Sequence, residues 1–173
     1  RYTIEDRVAV LVIDHPPVNA MNEQTLAELG EAIDALNADP GVKVIVITGG
    51  GQMAFVAGAD IGLFGKIIKE QDLAAGKAFM ELGHNTFNKI ENSNKPVIAA
   101  INGICLGGGL ELAMACHMRI CGDRVRLGQP EINLGIIPGW GGTQRLQRIV
   151  GAAKATEMIL TGDQITAQQA MQL

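Results

Sequence analysis

The chain has 173 residues and a formal net charge of −4. This length corresponds to one domain that can bury a core. The acidic balance argues against broad electrostatic binding to nucleic acid or to an anionic membrane, so we expect a small molecule or another protein as the partner. Glycine accounts for 22 residues without a collagen period. We therefore expect glycines at particular turns and close contacts.

Cysteine and histidine usage points away from disulfides and metals. The three cysteines form no CxxC pair and have mostly apolar neighbours, so we predict small buried thiols in a reducing compartment; they are Cys105, Cys116 and Cys121. That compartment is expected to be the cytoplasm, with the mitochondrial matrix as the alternative. The three histidines lie far apart without metal-ligand spacing, so we predict no metal. The apolar stretch 96–116 contains Asn102, Glu111 and several glycines, which favours a buried strand and helix over a membrane span.

Strand and helix patterns alternate along the chain. Short apolar runs predict strands at Val8–Ile13, 42–48, 96–101, Met118–Cys121 and Arg126–Gly128. Helical spacing of apolar residues predicts helices that follow an Asn22 cap, cover 79–90 and 107–116, and begin after Gly139 and Gly151. The alternation indicates the α/β class. Residues 166–173 are predicted to begin a helix that has no cap and no stop signal.

Common catalytic motifs are missing from the sequence. Its single serine, Ser93, lies outside a GxSxG elbow, which excludes a serine hydrolase of that type. No GxGxxG is present, and the Gly65-Lys66 pair is not followed by Ser or Thr. The dinucleotide and P-loop classes of phosphate site are therefore excluded.

Three glycine-centred segments, 55–61, 102–113 and 128–143, each carry a polar residue in an apolar stretch. Glu111 belongs to the first turn of an apolar helix, where an ionised carboxylate is costly unless it is paired or its pKa rises. An ion pair with Arg119 or Arg145 is the structural alternative. Glu131 follows in a second apolar setting, and two poorly solvated carboxylates suggest an acid/base pair.

The glycines at 107–109 can supply the complementary part of a site. A helix that begins with glycines presents free N–H groups, and its dipole favours developing negative charge at that end. A tight turn or close helix packing is the alternative explanation of the triplet.

The segments AGADI, NGICLGGGLELAMAC and GQPEINLGIIPGWGGTQRL, in this order and at these spacings, closely resemble the enoyl-CoA hydratase (crotonase) family. The resemblance implies a spiral of ββα units, with residues 1–173 as a single core domain. The family's C-terminal helical segment, which supports trimers and closes the site, would then be absent after Leu173. It also implies a hydratase that adds water across the 2,3 double bond of a 2-enoyl-CoA to give a 3-hydroxyacyl-CoA, without a cofactor beyond the CoA of the substrate.

The resemblance also implies roles for individual residues. The backbone N–H groups of Ala59 and Gly108 would hold the thioester oxygen. Glu111 would orient and deprotonate the attacking water, Glu131 would give a proton to C2, and the Gly139 N–H would help to hold the water.

Binding of CoA is assigned in the same way. The implied CoA contacts are Val18, Ala20, Ala57, Ala59, Asp60 and Ile61. Many relatives carry lysines for the CoA phosphates near the positions of Pro16 and Gly62, so this chain departs from the family there.

Other functions remain as alternatives to the hydratase assignment. An isomerase, dehalogenase, decarboxylase or ring-cleaving member would use the same oxyanion hole with different acids, and the presence of both glutamates favours the hydratase. A non-catalytic acyl-CoA-binding subunit and an RNA-binding relative are the alternatives outside catalysis. The expected partners are an acyl-CoA and further copies of the chain, as a trimer or a dimer of trimers, with no nucleic acid and no membrane.

Overall fold

The computed structural model describes the backbone of residues 1–173 and all side chains except those of Phe64 and Ile68. Its strands are β1 Tyr2–Glu5, β2 Val8–Ile13, β3 Val44–Gly49, β4 Ala54–Val56, β5 Val97–Ile101, β6 Ile104–Leu106, β7 Met118–Cys121, β8 Arg126–Gly128 and β9 Gln164–Thr166. Its helices are α1 Glu23–Ala38, α2 Ile61–Glu70, α3 Leu73–Glu91, α4 Gly108–Ala115, α5 Gly142–Val150, α6 Ala152–Thr161 and α7 Ala167–Met171. A 3₁₀ helix covers Pro130–Leu134.

The strands form two sheets that the chain visits in turn. The larger sheet has the order β1-β2-β3-β5-β7 and is parallel except for the β1–β2 pair. The smaller sheet has the order β4-β6-β8-β9, and β9 is antiparallel to β8. Each of β3, β5 and β7 is followed by a strand of the smaller sheet and then by a helix. This repeat confirms the predicted α/β spiral of ββα units.

Burial alternates along the central strands and follows one face of the main helices. Strands β2 and β3 bury every second side chain, because successive residues point to opposite faces of a sheet. Helix α1 buries residues at helical spacing, including Leu26, Leu29 and Ile33. Its first turn is capped as predicted, since Asn22 Oδ1 accepts a hydrogen bond of 2.9 Å from Thr25 N. The core therefore lies between the large sheet and the helices.

Several expectations needed correction. Residues 166–173 do have a cap: the Thr166 hydroxyl accepts from Gln169 N, and the Gln169 side chain accepts from Thr166 N. Cys121 is exposed, in contrast to the buried Cys105 and Cys116, because β7 is an edge strand of the larger sheet. The strand predicted at 42–48 is β3, which begins two residues later than predicted, at Val44, and ends at Gly49.

None of the helices in the described part of the chain combines the length and the apolar character that a bilayer crossing requires.

Candidate active site

The segment after β4 passes the start of α4, and each of the two carries one of the N–H groups expected to hold the thioester oxygen. Met21 bonds to both neighbours of Ala59: its N–H donates to Gly58 O, and its carbonyl accepts from Asp60 N. In such a parallel bridge, the N–H of Ala59 points away from Met21. A Cβ on Gly107 would lie 3.8 Å from Gly58 Cα, and a Cβ on Gly58 would lie 4.0 Å from Gly108 N, so the two segments are close neighbours. Among the described hydrogen bonds, neither Ala59 N nor Gly108 N has a partner.

Glycines make this approach possible at the start of α4. Gly107 is the N-cap with φ +54°, a conformation that favours glycine. A Cβ on Gly108 would lie 2.5 Å from Cζ3 of Trp140. The indole of Trp140 is buried and makes edge-to-face contacts with Phe79 and Phe87 at ring-centre distances of 5.3 and 5.6 Å. The aromatic cluster therefore supports the helix end that carries the free N–H.

Glu111 lies in the first turn of α4 and is 2% exposed. Its Oε1 accepts hydrogen bonds from Trp140 N and Gly142 N, both at 2.7 Å. Gly142 begins α5, so the carboxylate also lies at the positive end of a helix dipole. Burial raises the pKa of Glu111 to about 7, although these two N–H groups and the charge of Arg145 act to lower it.

Glu131, on the 3₁₀ helix, lies close to the start of α4. Its Oε1 would be 3.2 Å from a Cβ on Gly107, which places the carboxylate beside the start of α4. Burial, and then the nearby charge of Glu111, raise the pKa of Glu131 to about 7. Two carboxyls that both titrate near neutrality can share acid and base roles.

Gln129 bonds to Glu131 and, like Glu111, lies against Gly142. Its side chain is fully buried, and its amide nitrogen donates to both oxygens of Glu131 at 2.7 and 3.0 Å, with the amide oriented by its neighbours. A Cβ on Gly142 would lie 2.9 Å from Glu111 Oε1 and 3.0 Å from the other end of the Gln129 amide. Sequence reasoning missed this role, and the only signal was a polar residue directly before the Pro130-Glu131 pair.

The ion pairs considered for Glu111 are not formed. Arg145 pairs with Glu91 of α3, at 2.6 Å between Nη2 and Oε2, while Arg119 donates to carbonyls of Ala113 and Cys116. The alternative that Glu111 is neutralised by a direct arginine partner is therefore wrong. In the described contacts, buried Glu111 receives hydrogen bonds from backbone N–H groups alone. These donors and the charge of Arg145 lower its pKa only in part, so burial still leaves the pKa raised.

The predicted water-holding residue lies close to Glu111. Gly139 is half-buried and directly precedes Trp140. A Cβ at this position would lie 2.8 Å from the sulfur of Met80. The hydrogen bonds to Glu111 come from residues 140 and 142, and the described contacts include none for the Gly139 N–H.

The predicted CoA-binding residues lie on two adjacent segments. Ala57 N donates to Val18 O at 3.1 Å, and Ala20 O contacts the ring of His15 at 2.5 Å. Asp60 Oδ1 accepts from Gly62 N and thereby caps the start of α2, where Ile61 is exposed. Because the N–H groups of Ala57 and Asp60 already have partners within the chain, only their other atoms are available to a ligand.

Asn19 fixes the loop that carries Val18 and Ala20. It is 2% exposed, and its Nδ2 lies within hydrogen-bond distance of the carbonyls of Gly50, Ala54 and Phe55. Its Oδ1 accepts from His15 N at 3.0 Å. These contacts tie the loop to β4 and so hold the strand segment that leads to Ala59.

Comparison with known proteins identifies the family. The family model described as enoyl-CoA hydratase/isomerase matches residues 3–173. The chain is 48% identical, over 172 residues, to a crotonyl-CoA hydratase of Syntrophomonas wolfei, and the match covers 98% of this chain and 64% of that relative. The chain thus spans just under two thirds of that relative's length.

Solved structures agree with this assignment. The structure of DspI of Pseudomonas aeruginosa is similar, with a TM-score of 0.94 at 34% identity. The match covers 99% of this chain and 64% of DspI. An enoyl-CoA hydratase of Bacillus anthracis has a TM-score of 0.91 at 36% identity, with 99% of this chain and 66% of that chain matched. Because the family model matches residues 3–173 of this chain, the chain belongs to the enoyl-CoA hydratase/isomerase family.

Proposed function

We propose that the protein hydrates a 2-enoyl-CoA to a 3-hydroxyacyl-CoA. The observation that carries the proposal is the junction of α4, α5 and the 3₁₀ helix, which holds Glu111 and Glu131 around the start of α4. The N–H groups of Gly108 and of nearby Ala59 have no partner among the described hydrogen bonds. A hydratase needs an acid, a base and donors for an enolate oxygen. The names of the similar proteins, which include a crotonyl-CoA hydratase, favour the same chemistry.

The reaction begins at C3 of the enoyl thioester. Ionised Glu111 takes a proton from water while the water oxygen bonds to C3, and the electrons of the double bond move toward the thioester carbonyl. The negative charge on that oxygen is stabilised by Ala59 N–H and Gly108 N–H, which replace solvent with fixed donors. Protonated Glu131 then gives its proton to C2. In total one water is added, and the protons on the two glutamates are restored by exchange with solvent.

Glu111 is suited to the base role by its contacts. Its Oε1 is occupied by the N–H groups of Trp140 and Gly142, and the described hydrogen bonds leave Oε2 without a donor. That oxygen is available to a water molecule. Gly139 N–H, one residue before Trp140, is assigned to hold the same water. The CoA part of the substrate would lie along the segments 18–20 and 57–61, with no separate cofactor or metal and with the cytoplasm as the proposed compartment.

The pH dependence of kcat/KM is the first prediction. Catalysis requires ionised Glu111 and protonated Glu131, and both pKa values lie at about 7. As the pH falls below 7, Glu111 becomes protonated; as it rises above 7, Glu131 becomes ionised. We expect a bell-shaped profile with its maximum near pH 7, whose two macroscopic pKa values belong to the coupled pair. Initial rates on crotonyl-CoA from pH 5 to 9 measure it, and a rate that still rises at pH 9 would contradict these roles.

We also propose that this region acts within an oligomer of longer chains. A cavity of about 530 Å³ is lined by apolar residues of α4 to α7 and by β7. Two of its lining side chains, Ile120 and Met171, remain exposed. Apolar surface of this kind usually marks an interface. We expect residues 1–173 alone to turn over crotonyl-CoA weakly, because the resemblance implies a further C-terminal segment that closes the site, and closure shields the reaction from water.

Light scattering and turnover test this second prediction. Residues 1–173 are compared with a chain extended at its C-terminus to the length of the similar proteins. The longer chain is expected to be a trimer or hexamer with the higher turnover. Full turnover by a monomer of residues 1–173 would refute the proposal.

A further inference from the structure

We propose that Arg145 is a positioning residue for Glu111, because it holds the turn whose two N–H groups bind the Glu111 carboxylate. The proposal rests on the proposed function in one respect only, namely that Glu111 is the catalytic base. Arg145 itself touches neither the glutamates nor the two free N–H groups in the described contacts.

The turn at residues 140–142 is held from two sides. On one side, Trp140 N and Gly142 N donate to Glu111 Oε1 at 2.7 Å. On the other, the Trp140 carbonyl accepts from Arg145 Nη1 at 2.8 Å. Gly141 lies between them with φ +101°, and the guanidinium packs where its side chain would be. Movement of the Trp140 carbonyl would therefore move the N–H groups that orient Glu111.

The guanidinium is anchored in turn by α3. Its Nε and Nη2 donate to Glu91 Oε2 at 3.1 and 2.6 Å, and Nη2 also donates to Asn88 Oδ1 at 3.0 Å. Arg145 is 7% exposed, whereas the side chain of Glu91 is 44% exposed. An arginine is needed here, because only its planar fork of donors reaches a carboxylate on one helix and a carbonyl on a turn at once.

Removal of the Arg145 charge and removal of the Glu91 charge should shift the pKa of Glu111 in opposite directions. Glu131 and Arg145 are the charged groups that face Glu111, and Glu91 lies behind Arg145. Arg145 lowers the pKa of Glu111, so its removal should raise that pKa above about 7. Removal of the Glu91 charge leaves Arg145 less neutralised, so the pKa of Glu111 should fall.

The test is a titration of Glu111 itself. Carboxyl signals of ¹³C-labelled glutamate are followed by NMR from pH 4 to 10 in the wild-type chain and in Arg145→Met and Glu91→Gln, with Glu111→Gln identifying the signal. Arg148→Met is the matched control, since Arg148 is exposed on the same helix. We expect Arg145→Met to raise the midpoint by up to roughly one pH unit, Glu91→Gln to lower it by less, and the control to leave it unchanged.

The opposite signs separate positioning and electrostatic control from a general loss of structure. An unchanged midpoint in both variants, or a shift in the same direction in both, would overturn the proposal. If Arg145→Met does not fold, Glu91→Gln decides alone: a lower midpoint supports the proposal, and an equal or higher one overturns it. The titration needs no turnover, so it gives a result even if the protein proves not to be a hydratase. Where the wild-type chain is active, Arg145→Met should also lower kcat by about 10- to 100-fold through misplacement of Glu111.

Discussion

Glu111→Gln and Glu131→Gln are each expected to lower turnover of crotonyl-CoA by at least about 100-fold. General acids and bases typically contribute 10²- to 10⁴-fold, and each glutamate is assigned one proton transfer. Steady-state assays near pH 7 measure the effect. Glu31→Gln is the control, because Glu31 is exposed on α1, away from the site. Near-normal turnover in either site variant would contradict the assigned roles.

The same Glu111→Gln variant should be more stable than the wild type at high pH. A glutamine oxygen can still accept from Trp140 N and Gly142 N, and the buried charge is gone. Because burial raises the folded-state pKa of Glu111 from 4.5 to about 7, the wild type loses stability as the pH rises through this range. We expect the free energy of unfolding of the variant to exceed that of the wild type by roughly 2–3 kcal/mol above pH 7, with the difference vanishing below pH 4.5. If the variant instead lost activity because it unfolds, its free energy of unfolding would be lower than that of the wild type.

Gly108→Pro is expected to lower turnover by about 100-fold or more, because proline removes the N–H assigned to the oxyanion hole. Proline fits the helical backbone here, since position 108 is the first residue of α4, but its side chain would press against Trp140, so an alanine variant is needed beside it. The effect should fall on kcat more than on KM, because the N–H binds charge that develops in the transition state.

Gly108→Ala separates packing from hydrogen bonding at this position. Both variants place a Cβ 2.5 Å from Cζ3 of Trp140, so both disturb the aromatic cluster. Only proline lacks the N–H. Turnover of the alanine variant should therefore lie between the wild type and the proline variant, and equal turnover in the two variants would argue against an oxyanion role for Gly108.

The long periodic segments were predictable from the sequence, and so were the short strands β7 and β8, whereas the short strands β4, β6 and β9 were not. The strand Val8–Ile13 and the helix after Asn22 follow from hydrophobic periodicity and a side-chain cap. Strands β4 and β6 have three residues each, too few for any period to be visible. Their place in a second sheet depends on tertiary pairing, which a local pattern does not encode.

The site was predictable in part for a similar reason. The apolar neighbours of Glu111 in the sequence indicated a buried carboxylate, and the structure confirms that this side chain is buried. Its hydrogen-bond donors are backbone groups 29 and 31 residues away, and no side-chain pattern marks them. Arg145 was expected as a possible partner of Glu111 itself, but its guanidinium is turned toward α3, where Glu91 offers a better-solvated carboxylate. The roles of Gln129 and Trp140 arise from contacts between elements, which the sequence does not display.

The most direct measurement is the loss of enoyl-thioester absorbance on crotonyl-CoA, with product analysis in water enriched in oxygen-18. The chain extended to the length of the similar proteins is compared with its Glu111→Gln variant. We predict that the wild type produces 3-hydroxybutyryl-CoA with the labelled oxygen on C3, and that the variant produces it at least about 100-fold more slowly. A wild-type protein that leaves the absorbance unchanged, or that forms a product without label on C3, would contradict hydration at this site.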